Sequence, residues 1–152
     1  MARQRYEKRS FGNALVTYLE ALGWNTTYSE GFQPDSPITP PQIAVTMPPS
    51  TRKELQLGKI AGKDSLFRRI IQVDAYMENE NRADAIIDDI MDFIDITPVD
   101  IIDQNTNLLG TLICQDSETI FGEALPPITT DPKIGRWRGV VRAQMDAFYP
   151  ES

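Results

Sequence analysis

Asp84, Asp88 and Asp92 recur every fourth residue, and on a helix that spacing stacks three carboxylates one turn apart on one face. Carboxylate oxygens are the donors that Mg²⁺ and Ca²⁺ prefer, so metal-dependent chemistry is the first reading to weigh. A column on one helix lacks the converging donors from other elements that hold a hard cation, and no aspartate-rich loop resembles an EF-hand. The column therefore reads as a solvated face or as an acidic surface used in assembly, and no metal is expected. Asp100 and Asp103 offer a second carboxylate pair, of the kind glycosidases use, but nothing in the sequence marks a sugar-binding cleft.

The residues that most other chemistry needs are missing. The 152-residue chain contains no histidine, the commonest general base and transition-metal ligand. It has no Gly-x-Ser-x-Gly elbow, no phosphate-binding glycine loop, no Cys-x-x-Cys and no dinucleotide fingerprint. Cys114, the single cysteine, excludes an intrachain disulfide and is expected as a small core residue within the apolar run Leu108 to Cys114. The chain is thus read as a non-enzyme with no cofactor.

Charge is segregated. The net charge is −7, but 12 Asp and Glu face a single Arg82 between Asp74 and Glu118, leaving −11 in that block. Arg3, Arg5, Lys8 and Arg9 oppose only Glu7 at the start, and Lys133, Arg136, Arg138 and Arg142 form an acid-free stretch near the end. Such poles suit head-to-tail or stacked contacts between copies, although a solvated acidic helix beside a basic strand face explains them equally. A chain this acidic is a poor binder of nucleic acid in the usual sense. No apolar run approaches the length of a membrane span, and the basic start lacks a signal-peptide core, so synthesis in the cytosol is expected.

These residues need elements to carry them. Phe11, Leu15, Tyr18, Leu19 and Leu22 make one stripe on a helix of about four turns, with Ser10 as N-cap and Gly23 just beyond the C-terminus. Short strands are expected at Trp24 to Tyr28 and Ile43 to Met47, and a long one at Phe67 to Met77, its apolar face interrupted by Arg69. Ala83, Ile86, Ile87, Ile90, Met91 and Ile94 define a second helix whose aspartates lie mostly off the stripe. Val99 to Asp103 fits either one more helical turn or an edge strand. Leu108 to Cys114 is a strand, Asp116 to Glu123 its extension across a bulge, and Trp137 to Tyr149 a long closing strand. The pattern predicts one domain spanning 1–152, an α+β fold with a mostly antiparallel sheet, two main helices packed on one face, and long loops. Two of those loops carry Leu55, Leu57 and Ile60, and Leu125, Ile128 and Ile134, apolar residues that a neighbouring copy or the domain itself must cover.

The order of elements resembles the tail terminator, or tail completion, proteins of long-tailed bacteriophages. It is carried by the helix ending in Leu22-Gly23-Trp24, the proline-rich passage into Pro40 to Met47, and Ile71-Gln72-Val73-Asp74-Ala75-Tyr76 followed by Asn81-Arg82-Ala83-Asp84-Ala85-Ile86, with the Arg136 to Tyr149 strand closing the chain. The resemblance implies a virion protein of the tail or neck, made in the host cytoplasm. It would form a hexameric ring that caps the tail tube, stops its polymerisation and presents a docking surface to the head connector. Its partners would be its own copies, the tail tube protein and a connector or neck protein, with viral DNA passing through without sequence-specific binding and no membrane involved. On this resemblance Arg52, Lys53, Leu55, Leu57, Lys59 and Ile60 are expected to meet the tube or a neighbour. Arg136, Arg138 and Arg142 are expected to pair across subunits with the acidic helix, including Asp88 and Asp92. Another neck or head-closure protein, a tail tube protein, or a small-ligand-binding regulatory domain are the alternatives.

Overall fold

The computed structural model describes residues 2–29, 42–47, 53–55, 65–96, 98–114, 120–127 and 137–150. Helix α1 (Ala2–Ala21) and helix α2 (Glu80–Ile96) lie on one face of a sheet built from β1 (Thr27–Ser29), β2 (Gln42–Thr46), β3 (Lys53–Leu55), β4 (Ser65–Met77), β5 (Val99–Ile102), β6 (Leu108–Ile113), β7 (Phe121–Leu125) and β8 (Trp137–Tyr149). The main path of the sheet runs β1-β2-β4-β8-β6-β5, with β3 paired to β4 and β7 to β8. Among the described residues only the β1–β2 pair is parallel. The expected α+β architecture, a mostly antiparallel sheet with both helices on one side, is what the chain adopts.

The two long strands are the spine. β4 and β8 pair along their full lengths, from Ser65 opposite Tyr149 to Met77 opposite Trp137. Strand alternation sends Phe67, Ile71, Val73, Ala75 and Met77 of β4, with Val141, Ala143, Met145 and Ala147 of β8, toward the helices, and all are buried. Burying a side chain of Val, Ile or Met size stabilises by about 1.5–3 kcal/mol, so this layer supplies much of the driving force. β6 and β7 follow the same edge of β8. From Ile113 to Phe121 the chain advances eight residues while its partner moves only four, from Asp146 to Arg142, so four extra residues enter there. The extension beyond Cys114 thus returns to the sheet as a separate strand.

α2 is positioned by its cap and by two glycines beneath it. Asn79 Oδ1 accepts the Arg82 N–H at 2.9 Å, making Asn79 the N-cap. Ala83, Ile86, Ile87, Ile90, Phe93 and Ile94 are buried, with Met91 half-buried. A Cβ at Gly122 would lie 2.6 Å from Ile87, and one at Gly139 2.9 Å from Ile87 and 3.1 Å from the Ala83 carbonyl. The missing side chains let the helix sit directly on β7 and β8.

α1 departs from the expected four turns: it begins at Ala2 and runs for 20 residues. Ser10 is therefore not an N-cap but a buried residue inside the helix, where its Oγ accepts from Ile102 N–H at 3.1 Å and donates to the Ile102 carbonyl at 3.5 Å. The far end matches expectation. Gly23 takes φ 98°, Trp24 N–H reaches the Leu19 carbonyl and Gly23 N–H that of Glu20, each at 3.0 Å, which is a Schellman termination. Leu22 lies past the last helical residue and is 52% exposed, so it drops out of the apolar stripe. Val99 to Ile102 forms an edge strand rather than a helical turn, alternating buried and exposed residues. Cys114 is half-buried against the core rather than within it.

Candidate functional site

Three surfaces carry the chemistry of this molecule: the outward side of α2, the sheet face turned away from the helices, and the edge at β5. On α2, burial of the isoleucine stripe leaves Asp84, Asp88, Asp92 and Asp95 exposed. Among the described residues no cation forms an ion pair with these four, and no three acidic or thiol groups come together closely enough to hold a metal ion. Asp89, the one aspartate turned sideways, accepts the Trp24 indole N–H at 2.7 Å, and the Arg82 guanidinium stacks 4.6 Å over the Trp24 ring. The exit from α1 is thereby tied to the start of α2.

The opposite face of the sheet presents Arg68, Gln72, Asp74 and Tyr76 from β4 beside Arg138, Arg142 and Asp146 from β8. Arg142 Nε donates to Gln72 Oε1 at 2.8 Å, and the Gln72 amide donates to both oxygens of Asp74 at 3.2 and 3.3 Å. Burial pushes the Asp74 carboxyl above the usual carboxylate range. The Gln72 hydrogen bond and the positive charges of Arg138 and Arg142 pull it the other way. Burial, and then the charge of Asp74, also raise the Tyr76 phenol. Arg68 bridges the nearly buried Asp146 at 3.4 Å. This face is polar and of mixed charge, with Arg142 hydrogen-bonded to Gln72 within its own chain.

Other expected contact residues are placed unevenly. Lys53 and Leu55 lie in β3, their backbones opposite Arg68 and Leu66. Arg52, Leu57, Lys59, Ile60 and Arg136 fall outside the described residues, as do Ile128 and Ile134. Asp88 and Asp92 share the exposed side of α2, two layers away from Arg138 and Arg142, so no one subunit brings the two sets together.

The β5 edge was not visible as a site in the sequence. Asp103 Oδ1 accepts the N–H groups of Asn105 and Asn107 at 2.8 and 2.9 Å, and Asn107 Nδ2 donates to Oδ2 at 3.2 Å, closing the β5–β6 hairpin. These hydrogen bonds, led by that of Asn107, hold the Asp103 carboxyl below its ordinary range. At the base of the turn Ile102 and Leu108 are opposed and exposed, Leu108 at 66%. Between β5, α1 and the end of α2 lies a groove of about 670 Å³, with Ala14, Tyr18, Phe93 and Val99 among its walls. Tyr18 belongs to the apolar stripe legible in the sequence, but only the fold brings it and Ala14 to β5.

No known family model matches the chain, and no curated protein matches it. Among solved structures it is similar to the one titled "Structure of bacteriophage SPP1 gp17 protein". The two share 14% identity over 93% of this chain and 89% of that one, at a TM-score of 0.33. Among the described residues no helix is long and apolar enough to cross a membrane.

Proposed function

We propose that the chain is a structural virion protein of a phage tail or neck, a ring-forming terminator that caps the tail tube and offers a docking surface to the connector. The observation that carries this reading is the separation of the exposed α2 carboxylates from the sheet's arginines. Asp84, Asp88, Asp92 and Asp95 point away from one layer of the domain and Arg138 and Arg142 lie on the other. Opposite charges on opposite faces of one domain meet only between copies, and a head-to-tail contact of that kind closes into a ring when its rotation allows. The order of elements supports the resemblance to tail terminators, with α1 ending at Leu22-Gly23-Trp24, β4 leading into α2 and β8 closing the chain. An acidic lumen would repel phosphate and let DNA pass without binding. Nothing in this reading calls for catalysis.

Electron microscopy of the isolated protein, with native mass measurement, tests the ring, and a strict monomer at high concentration contradicts it. Addition to growing tail tubes separates terminator from tube subunit. A terminator halts growth, whereas a tube or related neck protein extends or ignores the polymer.

A further inference from the structure

Phe121 and Arg142 stand opposite each other across the β7–β8 pair, on the sheet face turned away from the helices. Their neighbours fix that direction. A Cβ at Gly122 would meet Ile87 and Met91 of α2, and Val141 opposite it is buried, so alternation sends Phe121 and Arg142 to the other side. There Phe121 is 57% exposed, a large aromatic surface that its own subunit does not bury. Arg142 is exposed too, and its bond to Gln72 draws the guanidinium toward β4, on the far side of β8 from Phe121. The arrangement recurs further along β8. Opposite Asp146, Ile113 of β6 is 38% exposed on one side and the Arg68 side chain of β4 44% exposed on the other. Of the acids on this face near Phe121, Asp74 and Asp146 are buried and Glu123 is exposed.

We propose that Phe121 anchors a contact between copies, in which α2 of a second copy lies across β7 and β8 with its Ala85 on the Phe121 ring. Charge and spacing select this occupant. Asn81, Asp84, Ala85, Asp88, Asp92 and Asp95 are exposed and form one stripe of α2, opposite its buried isoleucines. Asp84 and Asp92 lie about 12 Å apart along the helix, and Arg142 and Arg68 stand about 13 Å apart along the strands, so each acid can meet one arginine. Ala85, the small residue within the acidic stripe, leaves a notch where an aromatic ring fits. An aromatic anchor at the centre with arginines beside it is the composition that dominates binding energy at protein interfaces. The contact joins the helix face of one copy to the sheet face of the next, the heterologous kind that a ring requires. The inference rests on the ring assembly proposed above and names the side chains that drive it.

The test is a cross-link between two pools, both carrying Cys114→Ser. One pool has Ala85→Cys and the other Glu123→Cys, two residues from Phe121 on the same face of β7. With a short bismaleimide the mixture is expected to give a covalent heterodimer far faster than either pool gives a homodimer. Failure to enrich the heterodimer overturns the proposal. Substitutions supply an independent readout. Phe121→Thr should weaken self-association at least about tenfold, which is about 1.4 kcal/mol, while the melting of dilute subunit stays unchanged. Arg142→Glu or Asp84→Arg alone should weaken it as well, and the two together should restore it. Rings that persist in Phe121→Thr and give no heterodimer would retain the assembly reading and reject this contact, whereas monomers throughout, the unaltered protein included, would reject both.

Discussion

Arg69 and Glu7 form a fully buried ion pair between β4 and the first half of α1, with Arg69 Nε 2.7 Å from Glu7 Oε1 and Nη2 3.2 Å from Oε2. The Tyr149 hydroxyl donates to the same carboxylate, and the guanidinium lies 4.8 Å from the Phe67 ring. Among the described residues Arg69 Nη1 has no hydrogen-bond partner, so the buried pair is incompletely satisfied. Breaking it from one side should be costly, because the surviving charge remains buried. Arg69→Met or Glu7→Met is expected to lower unfolding free energy by about 3–5 kcal/mol in urea titrations. Replacing the whole set, Glu7→Met with Arg69→Met and Tyr149→Phe, should recover most of that loss. If the triple variant is as unstable as the singles, the pair is a net source of stability and this account is wrong.

That ion pair also explains what the sequence concealed. The buried face of α1 runs Glu7, Ser10, Phe11, Ala14, Leu15, Tyr18 and Leu19, a regular helical stripe whose first two members are polar. Apolar periodicity detects the stripe only from Phe11 onward, so the first turns read only as a basic start and Ser10 as a cap. Arg69 registered as an interruption because its partner lies 62 residues away in sequence. The long strands, α2 and the Gly23 termination were legible because each is specified by local pattern. The β5 groove was not, since it joins α1, α2 and β5 only after the sheet closes. Asp88, Asp92 and Arg142 are exposed, and the internal partner of Arg142 depends on a cross-strand register that composition does not reveal.

Asp74 gives a pH signature of defined sign. Its folded carboxyl titrates above the ordinary value of 3.8 because burial disfavours the charge. Between those two values the native state holds the proton more often than the unfolded chain, so stability falls as pH rises through that window. The resulting penalty is fully present above the folded value and absent below 3.8. Asp74→Asn, which keeps an acceptor for Gln72, should therefore raise the urea midpoint at neutral pH. The gain should shrink to nothing as pH is lowered through the window, and a gain that persists in acid would assign it to another cause.

Gly139 and Gly122 mark the closest approach of α2 to the sheet. A methyl group at Gly139 would press on both the Ile87 side chain and the Ala83 carbonyl, and backbone cannot yield as a flexible side chain can. At Gly122 the obstacles are the side chains of Ile87 and Met91. Gly139→Ala is expected to cost about 1–3 kcal/mol, the range for overpacking, and Gly122→Ala less. Pairing Gly122→Ala with Met91→Ala should relieve much of the smaller loss, while no side-chain truncation fully rescues Gly139→Ala. Denaturation curves of the three variants decide the order.

Asp92 and Asp95 sit in the last turns of α2, where the helix dipole is negative and no basic residue offsets them. If exposure alone explains these carboxylates, they are a cost without return, and removing them should simply help. Asp92→Asn is expected to stabilise the isolated subunit by about 0.3–1 kcal/mol at low salt, fading as salt screens the dipole. Where the α2 surface meets arginines of a neighbouring copy, the same change should weaken self-association, and Asp88→Asn with Asp92→Asn should weaken it further. The two readouts, thermal melting of dilute subunit and sedimentation of concentrated protein, then move in opposite directions. A variant that melts higher and associates as before would show that the acidic face is merely solvated.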